Sequence, residues 1–95
     1  MAKVYVKFLS GFKEAVGREF VEISMSEGRT IEDVLKYLCD QFGKPLRSLV
    51  FKNGVSIAGN IIVFVNGRNI VTLNGLKTKL KDGDQIILST PVTGG

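Results

Sequence analysis

The chain ends Thr90-Pro91-Val92-Thr93-Gly94-Gly95, and the group whose type and setting point most directly to chemistry is the carboxylate of Gly95. A carboxylate is a poor electrophile until one oxygen is exchanged for a good leaving group, after which its carbonyl carbon can be passed to a nucleophile. Gly94 and Gly95 carry no side chain to shield that carbon. They also permit dihedrals and close backbone approaches that a Cβ would block, so a narrow channel on a partner could accept them. Pro91 has no N–H to give a sheet ladder, so the last strand should end there and release the remaining residues into solvent. Val92 to Gly95 then reach roughly 13 Å at about 3.3–3.6 Å per residue, enough to enter a partner's cleft. A frayed end without function explains the same six residues, so the rest of the chain has to decide.

That remainder is poor in catalytic groups. It contains no histidine and one cysteine, Cys39, which removes Ser-His and Cys-His catalysis and the usual zinc sites. A single cysteine also excludes an internal disulfide and suits a reducing compartment; its place in a helical pattern reads as a structural thiol. There is no G-x-x-x-x-G-K-[ST] loop and no G-x-G-x-x-G after a strand, so any nucleotide in the reaction would be bound by another protein. The chain itself is expected to bind no cofactor and no metal. The net charge of +4 invites a nucleic-acid reading, yet the basic residues are spread from Lys3 to Lys81 and interrupted by carboxylates. A generally solvated surface accounts for them better.

Ninety-five residues make one small domain, with 44% apolar and 23% charged residues as in an ordinary globular protein. The expected division is a folded body over residues 1–90 and a flexible tail over 91–95. No apolar run approaches the roughly 18 residues needed to cross a bilayer. The alternating start Met1-Ala2-Lys3-Val4-Tyr5-Val6 has no signal-peptide core, so a cytoplasmic protein without membrane partners is expected.

The elements that must hold the tail follow from patterning. Residues 3–10 alternate, with Val4, Val6 and Phe8 on one face and Tyr5, Lys7 and Leu9 on the other. Residues 18–25 alternate again, turning Val21, Ile23 and Met25 inward, and the two runs read as a hairpin whose connection, Phe12 to Val16, has room for a helical turn. Thr30 is a good N-cap with Asp33 three residues on, and Ile31, Val34, Leu35, Leu38 and Phe42 form one apolar stripe along a helix. Gly43 suits the C′ position and Pro45 prevents continuation. The stretch 44–60 is long for a connection and should have structure of its own, such as a helical turn around Leu46, Leu49, Val50 and Phe51. Residues 61–65 read as a buried strand and Asn66-Gly67 as a hairpin turn. Ile70 to Leu73 begins a return strand or a turn, and residues 85–90 form the final strand.

In this order the pieces resemble the ubiquitin-like β-grasp superfamily, and within it the MoaD/ThiS-type sulfur carriers, nearest the small subunit of molybdopterin synthase. The likeness is carried by Val4-Tyr5-Val6-Lys7-Phe8, by Gly28-Arg29-Thr30-Ile31-Glu32-Asp33-Val34-Leu35, by Val63-Phe64-Val65-Asn66-Gly67, by Leu80-Lys81-Asp82-Gly83-Asp84-Gln85-Ile86, and by the tail Pro91-Val92-Thr93-Gly94-Gly95. The family's usual tail is Pro-Pro-Val-Ser-Gly-Gly, where this chain has Thr90 and Thr93. The resemblance implies an α+β fold with a mixed sheet of four to five strands packed on one main helix. It also implies a tail that an E1-like adenylating enzyme of the MoeB/ThiF type activates with ATP, after which a sulfur donor protein supplies sulfur and leaves a thiocarboxylate on Gly95. In the molybdopterin branch the tail would then enter the large synthase subunit, of MoaE type, so that this chain is a sulfur-carrying subunit, not a catalyst by itself.

Two alternatives share the activation step: a protein modifier joined through Gly95 to lysines, and a carrier for thiamine or tRNA thiolation. A basic β-grasp RNA-binding module stands further off. Docking also needs a surface beyond Pro91, Val92 and Thr93. If Val4, Val6, Val63, Val65, Ile86 and Leu88 face the helix, then Tyr5, Leu9, Phe64 and Ile87 face away and form an apolar partner-binding patch, unless residues 44–60 cover them.

Overall fold

The computed structural model describes residues 1–52, 56–57 and 61–91. Strand β1, Ala2–Phe8, buries Ala2, Val4, Val6 and Phe8 and turns Lys3 and Lys7 to solvent, as its alternation requires. It pairs antiparallel with β2, Phe20–Met25, in a register that sets Val6 opposite Val21 and Val4 opposite Ile23. The connection is more than a turn: Ser10–Val16 form helix α1, which drives Phe12 fully into the core. At seven residues it is too short to show a period, and Gly11 in its first turn reads as a breaker, which is why patterning understates it.

Helix α2, Ile31–Phe42, carries the expected stripe. Its capping box is complete, with the Asp33 N–H donating to Thr30 Oγ1 at 3.3 Å and the Thr30 N–H donating to Asp33 Oδ2 at 2.9 Å. At Gly43 (φ 75°, ψ −151°) the chain turns into a third helix, α3, Lys44–Val50. Pro45 stops α2 yet starts α3, because a proline in a helix's first turn lacks only an N–H that would be unpaired there anyway. Leu46 and Val50 enter the same core as α2, so three helices cover one face of the sheet where one main helix was expected. Two short strands, β3 (Phe51–Lys52) and β4 (Ser56–Ile57), pair antiparallel beyond α3. The turn signals Asn53-Gly54 and Gly59-Asn60 lie outside the described residues.

Strand β5, Ile62–Val65, turns at Asn66 (φ 52°) and Gly67 (φ 81°) into the two-residue strand β6, Arg68–Asn69. Both positive φ values belong to a type I′ turn, and glycine and asparagine adopt them at least cost. The return does not continue as a strand: Ile70–Thr72 form a 3₁₀ turn capped by Asn69 Oδ1, which accepts from the Val71 N–H at 3.0 Å, and Ile70 is thereby buried. The last strand, β7, Gln85–Ser89, lies between β1, to which it is parallel, and β5, to which it is antiparallel. The mixed five-stranded order is β2-β1-β7-β5-β6. This is the ubiquitin-like β-grasp, with the chain's first and last long strands adjacent at the centre of the sheet.

Candidate functional site

The strand that leads to the tail is paired on both edges and packed beneath the helices through Ile86 and Leu88, which are 1% and 0% exposed. The parallel ladder extends one rung past β1, where the Leu9 N–H donates to the Leu88 carbonyl at 2.9 Å. Beyond it Ser89 and Thr90 are half-buried and Pro91 is exposed. Among the described residues, packing runs through Thr90 and the exposed Pro91 follows it, where the missing N–H can no longer serve the ladder. Val92, Thr93, Gly94 and Gly95 lie outside the described residues.

Cross-strand registers assemble the outer face of the sheet. Phe20 stands opposite Lys7, Lys7 opposite Ile87, and Ile87 opposite Phe64, so one row crosses four strands. Tyr5 and Gln85 form the next row. Tyr5, Phe64 and Ile87 are half-buried by their neighbours, and Leu9 at the end of the same face is 38% exposed. These are the four expected patch residues, brought to one face. Among the described residues, 44–50 do not cover them, since α3 packs its apolar side chains into the core on the opposite face. A shallow depression of about 390 Å³ lies here, lined by Tyr5, Lys7, Phe20, Gln85, Ile86 and Ile87. The alternation that turns Val21, Ile23 and Met25 inward sends Phe20 outward, beside the four expected patch residues; at 61% exposed it is the most open aromatic on this face. The alternating run is the sequence signal for its direction, and the β1–β2 register sets it opposite Lys7.

Charge around the face is balanced by surface pairs, Lys13 with Glu19 at 3.0 Å and Lys3 with Glu22 at 3.9 Å. Lys13, through its hydrogen bond and then its charge, holds the Glu19 carboxyl below the usual glutamate range. Cys39 is buried in the core, where desolvation pushes its thiol up and keeps it protonated. Among the described residues no His, Cys, Asp and Glu side chains gather in a group able to hold a metal ion. No helix among them is long and apolar enough to cross a membrane.

The family model for the ThiS family matches residues 6–95, from the middle of β1 through the last glycine. The chain belongs to the ThiS family. Among relatives, this ThiS-family protein is 31% identical over 90 residues to small archaeal modifier protein 3 of Haloferax volcanii, covering 95% of this chain and 96% of that one. Its fold matches small archaeal modifier protein 1 of Methanosarcina acetivorans with a TM-score of 0.85 and 37% identity over 100% of this chain and 98% of the other. It also matches a Pyrococcus furiosus chain provisionally named molybdopterin converting factor, subunit 1, with a TM-score of 0.77 and 27% identity over 97% and 100%.

Proposed function

We propose that the chain is a carrier whose Gly95 carboxylate is the reacting group, and that its cargo is sulfur. The observation that carries this reading is a family match that runs through Gly95, past a Pro91 that is exposed at the end of the described residues. In the first step a Gly95 carboxylate oxygen attacks the α-phosphorus of an ATP held by an E1-like enzyme, and pyrophosphate leaves. Hydrosulfide, delivered by a sulfur donor, then attacks the acyl carbon. AMP departs with the electrons of the C–O bond, a proton is lost, and a thiocarboxylate remains. The body contributes affinity and placement, because its residues offer neither a nucleophile nor a phosphate loop. In the molybdopterin branch, the large synthase subunit would then accept the tail and draw the sulfur onto its bound substrate.

The relatives' names support two destinations. The Pyrococcus likeness favours a small subunit of molybdopterin synthase type. The identity to two small archaeal modifiers favours transfer of the activated Gly95 to protein lysines. Both require the same activation. Incubating the full chain with an E1-like enzyme, ATP and sulfide should raise its intact mass by about 16 Da, one oxygen exchanged for sulfur. A persistent unmodified mass would refute the carrier reading. Omitting sulfide and adding cell extract separates the destinations: a ladder of Gly95-dependent adducts is the modifier's result.

Docking on the outer sheet face is the second half of the reading. Tyr5, Phe20, Phe64, Ile87 and Leu9 around Lys7 suit a partner surface that is apolar with a carboxylate near its middle. Phe64→Glu places a charge in that contact at a side chain the core does not use. It should leave the circular dichroism spectrum unchanged and weaken binding to the activating enzyme about tenfold or more. Equal affinity by titration would move the docking surface elsewhere.

A further inference from the structure

The first turn of α1 and the root of the tail are joined by contacts that neither segment requires for itself. Leu9 occupies the N-cap of α1 and supplies no side-chain acceptor, and the first turn holds no acidic residue. The helix's first N–H groups therefore lack the local partners that usually serve them. Those of Phe12 and Lys13 reach the Leu9 carbonyl at 3.1 and 3.4 Å. That of Gly11 donates instead to Oγ1 of Thr90 at 3.1 Å, 79 positions along the chain. Thr90 is thus a cap supplied from the far end of the sequence. A Cβ at residue 11 would stand 3.1 Å from both Cγ2 and Oγ1 of Thr90 and 3.7 Å from Cδ2 of Leu49, so the seat is this close because residue 11 is glycine. Beside it the Ser89 hydroxyl donates to the Ser10 hydroxyl at 3.4 Å. The next residue, Pro91, is exposed.

We propose that Gly11 and Thr90 form a latch that fixes where the tail leaves the domain, which makes Thr90 a positioning residue for the carboxylate of Gly95. This rests on Gly95 being the activated group. Released from Gly11, the end of β7 would fray back toward Ser89, and the point from which Pro91 leaves the domain would no longer be fixed. More conformational entropy would then be lost on entering a partner's cleft. The effect belongs to engagement: once the tail is seated, the partner sets the geometry of the chemical step. The latch therefore acts on KM for activation and leaves kcat alone.

Three full-length variants test this by two readouts, hydrogen exchange at the Gly11 amide and ATP–pyrophosphate exchange catalysed by the E1-like enzyme. Thr90→Val keeps the side chain's shape and removes the acceptor. Gly11→Ala keeps the donor and crowds Thr90, although alanine is the better helix former. Thr90→Ser keeps the hydroxyl. Thr90→Val and Gly11→Ala should each speed exchange of the residue-11 amide roughly tenfold, relative to its intrinsic rate, and raise KM several-fold with kcat within about twofold, and Thr90→Ser should keep both readouts near wild type. Wild-type exchange and KM in Thr90→Val, or a fall confined to kcat, overturns the latch. If the wild-type chain supports no pyrophosphate exchange at all, the reading of Gly95 fails and the positioning role goes with it. That outcome is distinct from variants that match an active wild type.

Discussion

At the scale of single residues, the most fully partnered local device is the capping box of α2. Asp33 accepts from the Thr30 N–H, and this bond, more than its neighbours' charges, holds its carboxyl below the usual value of 3.8. A folded-state value below the unfolded one means that the unfolded chain binds the proton more tightly. The contribution of Asp33 is therefore full above pH 3.8 and is lost as pH falls through its lower folded value. Thr30→Ala should cost about 1 kcal/mol in urea unfolding at neutral pH, the usual worth of an N-cap. Asp33→Asn should also be less stable than wild type at neutral pH, and the two should converge in strong acid; a gap independent of pH would contradict the assignment. The thiol of Cys39 gives a second residue-scale expectation. Buried and held protonated, it should alkylate with iodoacetamide only under unfolding conditions, and rapid labelling of the native chain would mean that α2 opens.

At the scale of elements, α2, the alternating strands and the Asn66-Gly67 turn were legible because each announces itself by period or by turn chemistry. Helices α1 and α3 were legible only as single helical turns. Seven residues span about two turns, too few for a stripe to repeat, and their Gly11 and Pro45 read locally as interruptions. What makes them helical is tertiary: Phe12, Leu46 and Val50 fill the core that α2 alone does not cover. The outer face follows from the same alternation that gave the core, so Tyr5, Leu9, Phe64 and Ile87 could be placed there from sequence. Phe20 points outward by the same alternation, and the β1–β2 register, which sets it opposite Lys7, is what adds it to the patch. Because Phe20 is 61% exposed, Phe20→Ser should change stability by less than about 0.5 kcal/mol yet weaken binding to the activating enzyme. Leu88→Ala on the same sheet's buried face should cost about 2–5 kcal/mol, because Leu88 is 0% exposed and the cavity it leaves cannot collapse between paired strands. Similar stability losses in these two variants would erase the distinction between the faces.

At the scale of the whole molecule, the parallel pairing of β1 with β7 makes the domain's completion depend on its end. Tyr5 pairs with Gln85 and Phe8 with Leu88, contacts across some eighty positions, so the sheet lacks its central strand until residue 89 has been made. The end of β7 before Pro91 was legible from the missing N–H, but the attachment of Thr90 to α1 was not, since a hydrogen bond from Gly11 to Thr90 has no sequence period to betray it. That topology separates two roles of the C-terminal residues by truncation. A chain stopped after Asp84 lacks β7, leaves the partner edges of β1 and β5 unpaired and the core without Ile86 and Leu88, and should not fold. A chain stopped after Thr90 retains the latch and every side chain that is buried among the described residues, so its melting temperature should lie within about 2 °C of the full chain's. It should still bind the activating enzyme through the outer face, competing with the full chain while gaining no mass in the sulfur assay. Failure to compete would mean that the tail alone carries recognition; loss of folding would mean that residues 91–95 belong to the body.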